Sequence, residues 1–211
     1  MKKRTIGIII LSVMLLAGCS SREAAMSGED LNPVIMKETE EKGEQADTAT
    51  HNSQAQEQGS AEQEAYVLEF EASTITGETV TDDCFGESRL TMLNIWATYC
   101  NPCLSEMPDL GAIAAAYDPA EFQMYGIISD VTAESEDAVT QEAMDLIEQT
   151  GAAYPHLLLN ESLYINLVGA ASAVPTTFFV NQKGEVLGYV VGARSKEVWE
   201  EVINELLEQN P

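Results

Sequence analysis

The sequence predicts an α/β fold, a central mixed β-sheet flanked by helices, in residues 66–211 of the 211-residue chain. Three observations predict it. A nearly continuous apolar run, Leu90 to Trp96, has the pattern of a strand covered on both faces. Strand-like and helix-like periods then alternate, which implies a sheet with helices packed on its faces. The chain closes on a hairpin pattern and an amphipathic helix, which adds antiparallel strands to the same sheet.

In order, Tyr66–Phe70 alternates as a short strand and runs into Ile75–Val80, with Gly77 marking a turn between two extended pieces. This predicts an N-terminal hairpin. Cys84–Ser88 forms a loop before the central strand. Behind Trp96, residues Cys103, Met107, Leu110, Ala114 and Tyr117 recur at spacings of four, three, four and three, one stripe of a helix. Pro102 suits the first turn of that helix, Pro108 inside it predicts a kink, and Asp118-Pro119 ends it. Phe122–Ile128 reads as the next buried strand. Val139, Ala143, Leu146 and Ile147 give a helix that closes at Gly151. Pro155–Leu159 is a short strand, followed by a brief helix over Leu163–Val168. Thr176–Val180 and Glu185–Val191 pair through the Asn181–Gly184 turn. Val198, Trp199, Val202, Ile203, Leu206 and Leu207 then line one face of the last helix, with glutamates outside.

Ahead of this domain lie two segments of other character. Residues 1–18 have a basic start (Lys2, Lys3, Arg4) and an apolar stretch, Ile6 to Leu16, too short for a lasting membrane span. They read as a secretory signal. Residues 19–65 carry no Phe or Trp and no Tyr and are rich in Glu, Gln, Ala, Ser and Thr, so they predict a disordered acidic tether. Leu31–Met36 is its one apolar cluster, and His51 has no evident role.

Residues 66–211 contain 24 acidic residues against four basic ones, Arg89, Lys183, Arg194 and Lys196, a formal charge of −20. A field of that sign repels nucleic acid and anionic lipid, and it excludes both as partners of the domain surface.

The chemistry centres on Cys100-Asn101-Pro102-Cys103. A strand that delivers two cysteines to the first turn of a helix suits thiol–disulfide exchange, because free N–H groups and the helix dipole favour a thiolate there. Cys100 attacks, and Cys103, one turn deeper, resolves the mixed disulfide. The same spacing serves zinc sites, but only Cys84, His51 and His156 are at hand to complete one. Haem attachment requires His where Leu104 stands. No metal and no cofactor beyond the Cys100–Cys103 couple is expected.

Two resemblances add to this. Leu16-Ala17-Gly18-Cys19 resembles the bacterial lipobox, which implies lipidation of Cys19 and a membrane anchor. The stretch Trp96–Cys103 with Glu106-Met107-Pro108, continuing through Val174-Pro175-Thr176-Thr177-Phe178-Phe179-Val180 and Lys183-Gly184, resembles the TlpA/ResA group of membrane-anchored thioredoxin-like thiol–disulfide oxidoreductases. The likeness covers Phe70 to Leu207, and residues 129–172 are similar to the group's insertion. It implies a thioredoxin-like fold and reduction of disulfides in exported proteins, or electron supply to a partner enzyme, with a membrane thiol transporter as donor. An oxidant role, or a non-catalytic binding or metal-carrier module, is the alternative.

By the same resemblance, Pro175 is a cis-proline beside the disulfide, and Glu106 exchanges a proton with Cys103. Trp96 walls the site, while Tyr99, Asn101, Pro102, Val174 and Thr176 form the docking surface. Asn94 stands where plain thioredoxin has a titrating Asp, which moves proton transfer towards Glu106. Cys84 is left as a buried inert thiol or a second redox partner. His156 reads as a strand-end residue.

Overall fold

The computed structural model describes residues 66–211. The signal segment, Cys19, the Leu31–Met36 cluster and His51 lie outside the described residues. The elements are β1 (Glu71–Ser73), β2 (Thr79–Thr81), β3 (Leu90–Trp96), α1 (Asn101–Ala116), β4 (Phe122–Thr132), α2 (Asp137–Thr150), β5 (His156–Leu159), α3 (Glu161–Asn166), β6 (Thr176–Asn181), β7 (Val186–Val191) and α4 (Lys196–Gln209). Short 3₁₀ turns occupy Asp82–Glu87 and Val168–Ala170.

Five strands form one sheet in the order β5-β4-β3-β6-β7. The first three are parallel, and β6 and β7 add antiparallel edges, so the sheet is mixed as the sequence predicts. Both parallel connections step the same way across the sheet. Right-handed crossovers therefore place α1 and α2 on one face, where α4 joins them. Leu90, Met92 and Trp96 of β3 point into that layer, with Met107, Leu110, Phe179, Trp199 and Ile203. The alternate residues Leu93 and Ile95 point to the opposite face, covered by Leu68, Phe70, Phe85 and Leu163. Every residue of β3 is buried, which is why its sequence is apolar without alternation.

Two boundaries differ most from the sequence reading, while the short helix starts at Glu161 and ends at Asn166 rather than spanning Leu163–Val168. Tyr66–Phe70 is not a strand of the hairpin; the hairpin is β1–β2, turned at Gly77 with φ of 92°. Leu68 N–H instead donates to the Gly184 carbonyl and Val186 N–H to that of Tyr66. The segment is thus held by the β6–β7 turn, more than a hundred residues away, which no local alternation reports. β4 also continues beyond Ile128 to Thr132, with a shift in its register against β5.

The helix after the cysteines runs unbroken past Pro108. Its buried face is Cys103, Glu106, Met107, Leu110 and Ile113, so the stripe includes a glutamate and turns slightly from the predicted one. Halfway along it, Gly111 lets α1 approach the end of α2. A Cβ there would collide with the Gly151 carbonyl oxygen. Gly111→Ala is expected to destabilise the domain by about 1–3 kcal/mol, read as a lowered urea midpoint with unchanged slope.

Candidate active site

β3 ends at Trp96, and Cys100 follows as the N-cap of α1. Its backbone is extended, at φ −88° and ψ 93°, and its N–H donates to the Ala97 carbonyl at 3.0 Å. Cys100 and Cys103 are joined as a disulfide across the first turn, with Cα atoms 5.3 Å apart. The Cys100 Sγ accepts the Cys103 N–H at 3.2 Å. That is the position of a capping oxygen, and it directs one of the orphan donors of the helix at this sulfur. In the dithiol state the same N–H and the helix dipole stabilise a Cys100 thiolate. Cys100 is 5% exposed and Cys103 is fully buried.

The loop between strand and helix is braced from β4. Both carboxylate oxygens of Asp130 accept the Thr98 N–H at 3.1 Å, one also accepts the Thr98 hydroxyl, and Ser129 Oγ donates to the Trp96 carbonyl at 2.9 Å. The continuation of β4 past Ile128 supplies these contacts, and the sequence reading missed them. Next to the braced loop, Tyr99 is 74% exposed, and Asn101 and Pro102 are exposed beside it.

On the other side of β3, Ile95 pairs with Thr176, which sets Pro175 level with Trp96 at the same end of the sheet. The Val174–Pro175 peptide bond is cis. Thr176 Oγ1 donates to the Ala173 carbonyl at 2.7 Å, and the Pro175 carbonyl accepts the Gly192 N–H at 2.8 Å. Val174 is half-buried and Pro175 and Thr176 are buried. The structure thus brings Trp96, Tyr99, Cys100, Asn101, Pro102, Cys103, Val174, Pro175 and Thr176 to one edge of the fold.

Glu106 lies one turn beyond Cys103 on the buried side of α1, at 3% exposure. Its carboxylate is held by three donors, from β3, the β7–α4 loop and α4. Asn94 Nδ2 of β3 reaches Oε1 at 3.1 Å, and Arg194 N–H and Trp199 Nε1 reach Oε2 at 3.0 and 3.2 Å. Burial pushes the Glu106 carboxyl up from its ordinary value, and these hydrogen bonds act against that rise. Asn94 Nδ2 also donates to Thr177 Oγ1 at 3.0 Å, while its Oδ1 has no hydrogen-bond partner. Arg194 and Trp199 were not singled out in the sequence as partners of Glu106. Trp199 reads there as core, and only the occurrence of a glutamate on a buried stripe signals that donors must exist.

Cys84 is a buried free thiol in the 3₁₀ turn under the opposite face of the sheet, with the thiol pushed up to about 11 by burial. A thiol held protonated is a poor nucleophile. Among the described residues no group of three His, Cys, Asp or Glu is placed to hold a metal ion, and no helix is long and apolar enough to cross a membrane.

A disulfide at the N-cap of the first sheet-covering helix, level with a cis-proline on the neighbouring antiparallel strand, defines a thioredoxin-like protein. The chain belongs to the AhpC/TSA family, whose model matches residues 64–188. Within that family it is of the TlpA/ResA type. It is 29% identical over 123 residues to the thiol-disulfide oxidoreductase ResA of Oceanobacillus iheyensis, covering 58% of this chain and 60% of that protein. It is 26% identical over 137 residues to the thioredoxin-like protein YneN of Bacillus subtilis, covering 64% and 75%. The chain thus spans about 60% of the length of the ResA relative. Among solved structures, the fold matches a thioredoxin-family thiol:disulfide interchange protein from Chlorobium tepidum TLS, with a TM-score of 0.57 and 22% identity over 70% of this chain and 99% of that one. It also matches StoA from Bacillus subtilis, with a TM-score of 0.51 and 23% identity over 65% and 98%.

Proposed function

We propose that this chain is a thiol–disulfide oxidoreductase that works outside the cytoplasmic membrane and reduces disulfides in exported proteins or in a partner redox enzyme. The observation that carries the reading is the Cys100–Cys103 disulfide closing the first turn of α1, with a cysteine as the helix cap. The curated relatives named as thiol-disulfide oxidoreductases support it. In the dithiol state the Cys100 thiolate attacks a sulfur of the partner disulfide, forming a mixed disulfide and releasing one partner thiolate. Cys103 then gives its proton to Glu106 and attacks the Cys100 sulfur. The Cys100–Cys103 bond forms, the second partner thiolate leaves, and two electrons have passed to the partner. A membrane thiol transporter returns the pair to the dithiol. Lipid on Cys19 and the acidic segment behind it place the domain at the outer face of that membrane. The −20 charge of the domain leaves nucleic acid out of its partners.

Reduction of insulin by dithiothreitol is the test of activity. The wild-type chain is expected to accelerate it, and a rate equal to that of dithiothreitol alone would leave a non-catalytic module. The reduction potential of the Cys100–Cys103 couple sets the direction. A value near that of thioredoxin, about −270 mV, fits the reductant, whereas one near about −120 mV belongs to an oxidant in disulfide formation.

A further inference from the structure

His156 opens β5, the strand-end place that the sequence implies, and it is buried there at 2% exposure. It belongs to a row that crosses the sheet under α1, Thr177 of β6, Asn94 of β3, Gly126 of β4 and His156 of β5, each paired with the next. Gly126 is the member without a side chain, and the imidazole fills the space above it. A Cβ on Gly126 would run into the His156 ring at Nδ1.

The hydrogen bonds of the ring decide its tautomer. Trp96 Nε1 lies 3.1 Å from His156 Nδ1, and an indole N–H can only donate, so Nδ1 is the unprotonated acceptor. Nε2 then carries the proton and donates to the Ala152 carbonyl at 3.0 Å. The ring stands edge-on to Trp96, with centroids 5.6 Å apart, and lies against Tyr154 at 4.5 Å. Trp96 packs in the same buried cluster as Cys100 and Cys103, and it is fully buried.

We infer that His156 is a positioning residue for the disulfide site, holding the Trp96 indole in place behind Cys100 and Cys103 through an acceptor that only the neutral imidazole offers. The inference rests on the thiol–disulfide reading of the site. Without that acceptor the indole N–H is buried and unsatisfied, and the ring turns to find water. The wall behind Cys103 then opens, water solvates its thiolate, and the dithiol state gains.

Burial pushes the imidazole down to about 4, against the opposing pull of the Ala152 carbonyl. The ionisable neighbours are the Tyr154 hydroxyl, on the approach to β5, and Glu106 of α1, which bears on Tyr154 electrostatically. A lowered histidine binds fewer protons in the folded than in the unfolded chain. Its contribution is therefore present above the ordinary histidine value and is lost as pH falls from there towards about 4.

The test compares His156→Leu, which removes the acceptor, with His156→Asn, whose side-chain oxygen can take the place of Nδ1. Two quantities are read: the equilibrium of the Cys100–Cys103 couple with glutathione, and the Trp96 indole N–H resonance, assigned with Trp96→Phe. His156→Leu is expected to shift the equilibrium towards the dithiol by about threefold or more and to move the resonance into fast hydrogen exchange, while His156→Asn stays near wild type. A folded His156→Leu variant with both quantities unchanged would reduce His156 to packing and overturn the inference. Should that variant not fold, the wild-type resonance is followed from neutral pH down to about 4. A resonance that holds its position there overturns the inference equally. If the wild type itself does not exchange with glutathione, the proposed function fails instead, and the indole resonance still reports on His156.

Discussion

Cys100→Ser is expected to abolish disulfide reduction, a loss on the order of 10³-fold or more, because the attacking sulfur is gone and no other thiol stands at the helix cap. Cys103→Ser loses turnover to a similar extent but by a different route. Its Cys100 thiolate still has the N–H of position 103 at the sulfur and still attacks, so a mixed disulfide with the partner accumulates. Non-reducing electrophoresis followed by mass spectrometry separates the two variants. Accumulation in Cys100→Ser and none in Cys103→Ser would reverse the assigned roles. Cys84 does not confuse the result, since it lies in the cluster on the other face of the sheet and its thiol is held protonated.

Glu106→Gln is expected to slow resolution of the mixed disulfide by about 10²-fold while leaving the first attack almost unchanged. The variant should fold. A Gln at 106 turns an amine towards one side of the cradle, and Asn94 can rotate its unpartnered Oδ1 to receive it. In the wild type the resolution rate falls on the acid side as Glu106 takes up its proton, at a pH above that of an ordinary carboxyl. That limb is absent from the variant, whose rate follows the Cys103 thiol alone. Stability moves the other way. A carboxyl raised on folding binds more protons in the native chain, so stability declines as pH rises from the ordinary carboxylate value through the raised one. The Gln variant escapes that decline and is expected to be the more stable at neutral pH. Equal resolution rates for wild type and variant across the neutral and mildly alkaline range would remove Glu106 from the mechanism.

The parts of this site that depend on short stretches of chain were legible in the sequence. The apolar run of β3, the cysteine spacing and the helix behind it are local patterns, and so is the pairing of β6 with β7 through Asn181–Gly184. What escaped is carried by pairs far apart in the chain. Tyr66–Phe70 alternates like a hairpin strand, but its hydrogen-bond partners are Gly184 and Tyr66's neighbour across the bond, Val186. In the sequence Glu106 reads as a functional carboxylate or an exposed helix charge, and its burial is not visible until Arg194 and Trp199 are seen beside it, 88 and 93 positions on. His156 gave no sign of burial, because its space is made by Gly126 on another strand. A glycine in an apolar strand signals that something approaches closely, though not what.

The cradle of Glu106 also sets an order of events. The two cysteines and Asn94 leave the ribosome well before Arg194 and Trp199 do. A chain still emerging can therefore pair its sulfurs while the carboxylate of Glu106 has one donor instead of three. Only the docking of the segment after β7, through Arg194 and the first turn of α4, supplies the other two. A chain that stops short of Arg194 would thus carry its cysteines while Glu106 lacks two of the three donors that fix its carboxylate.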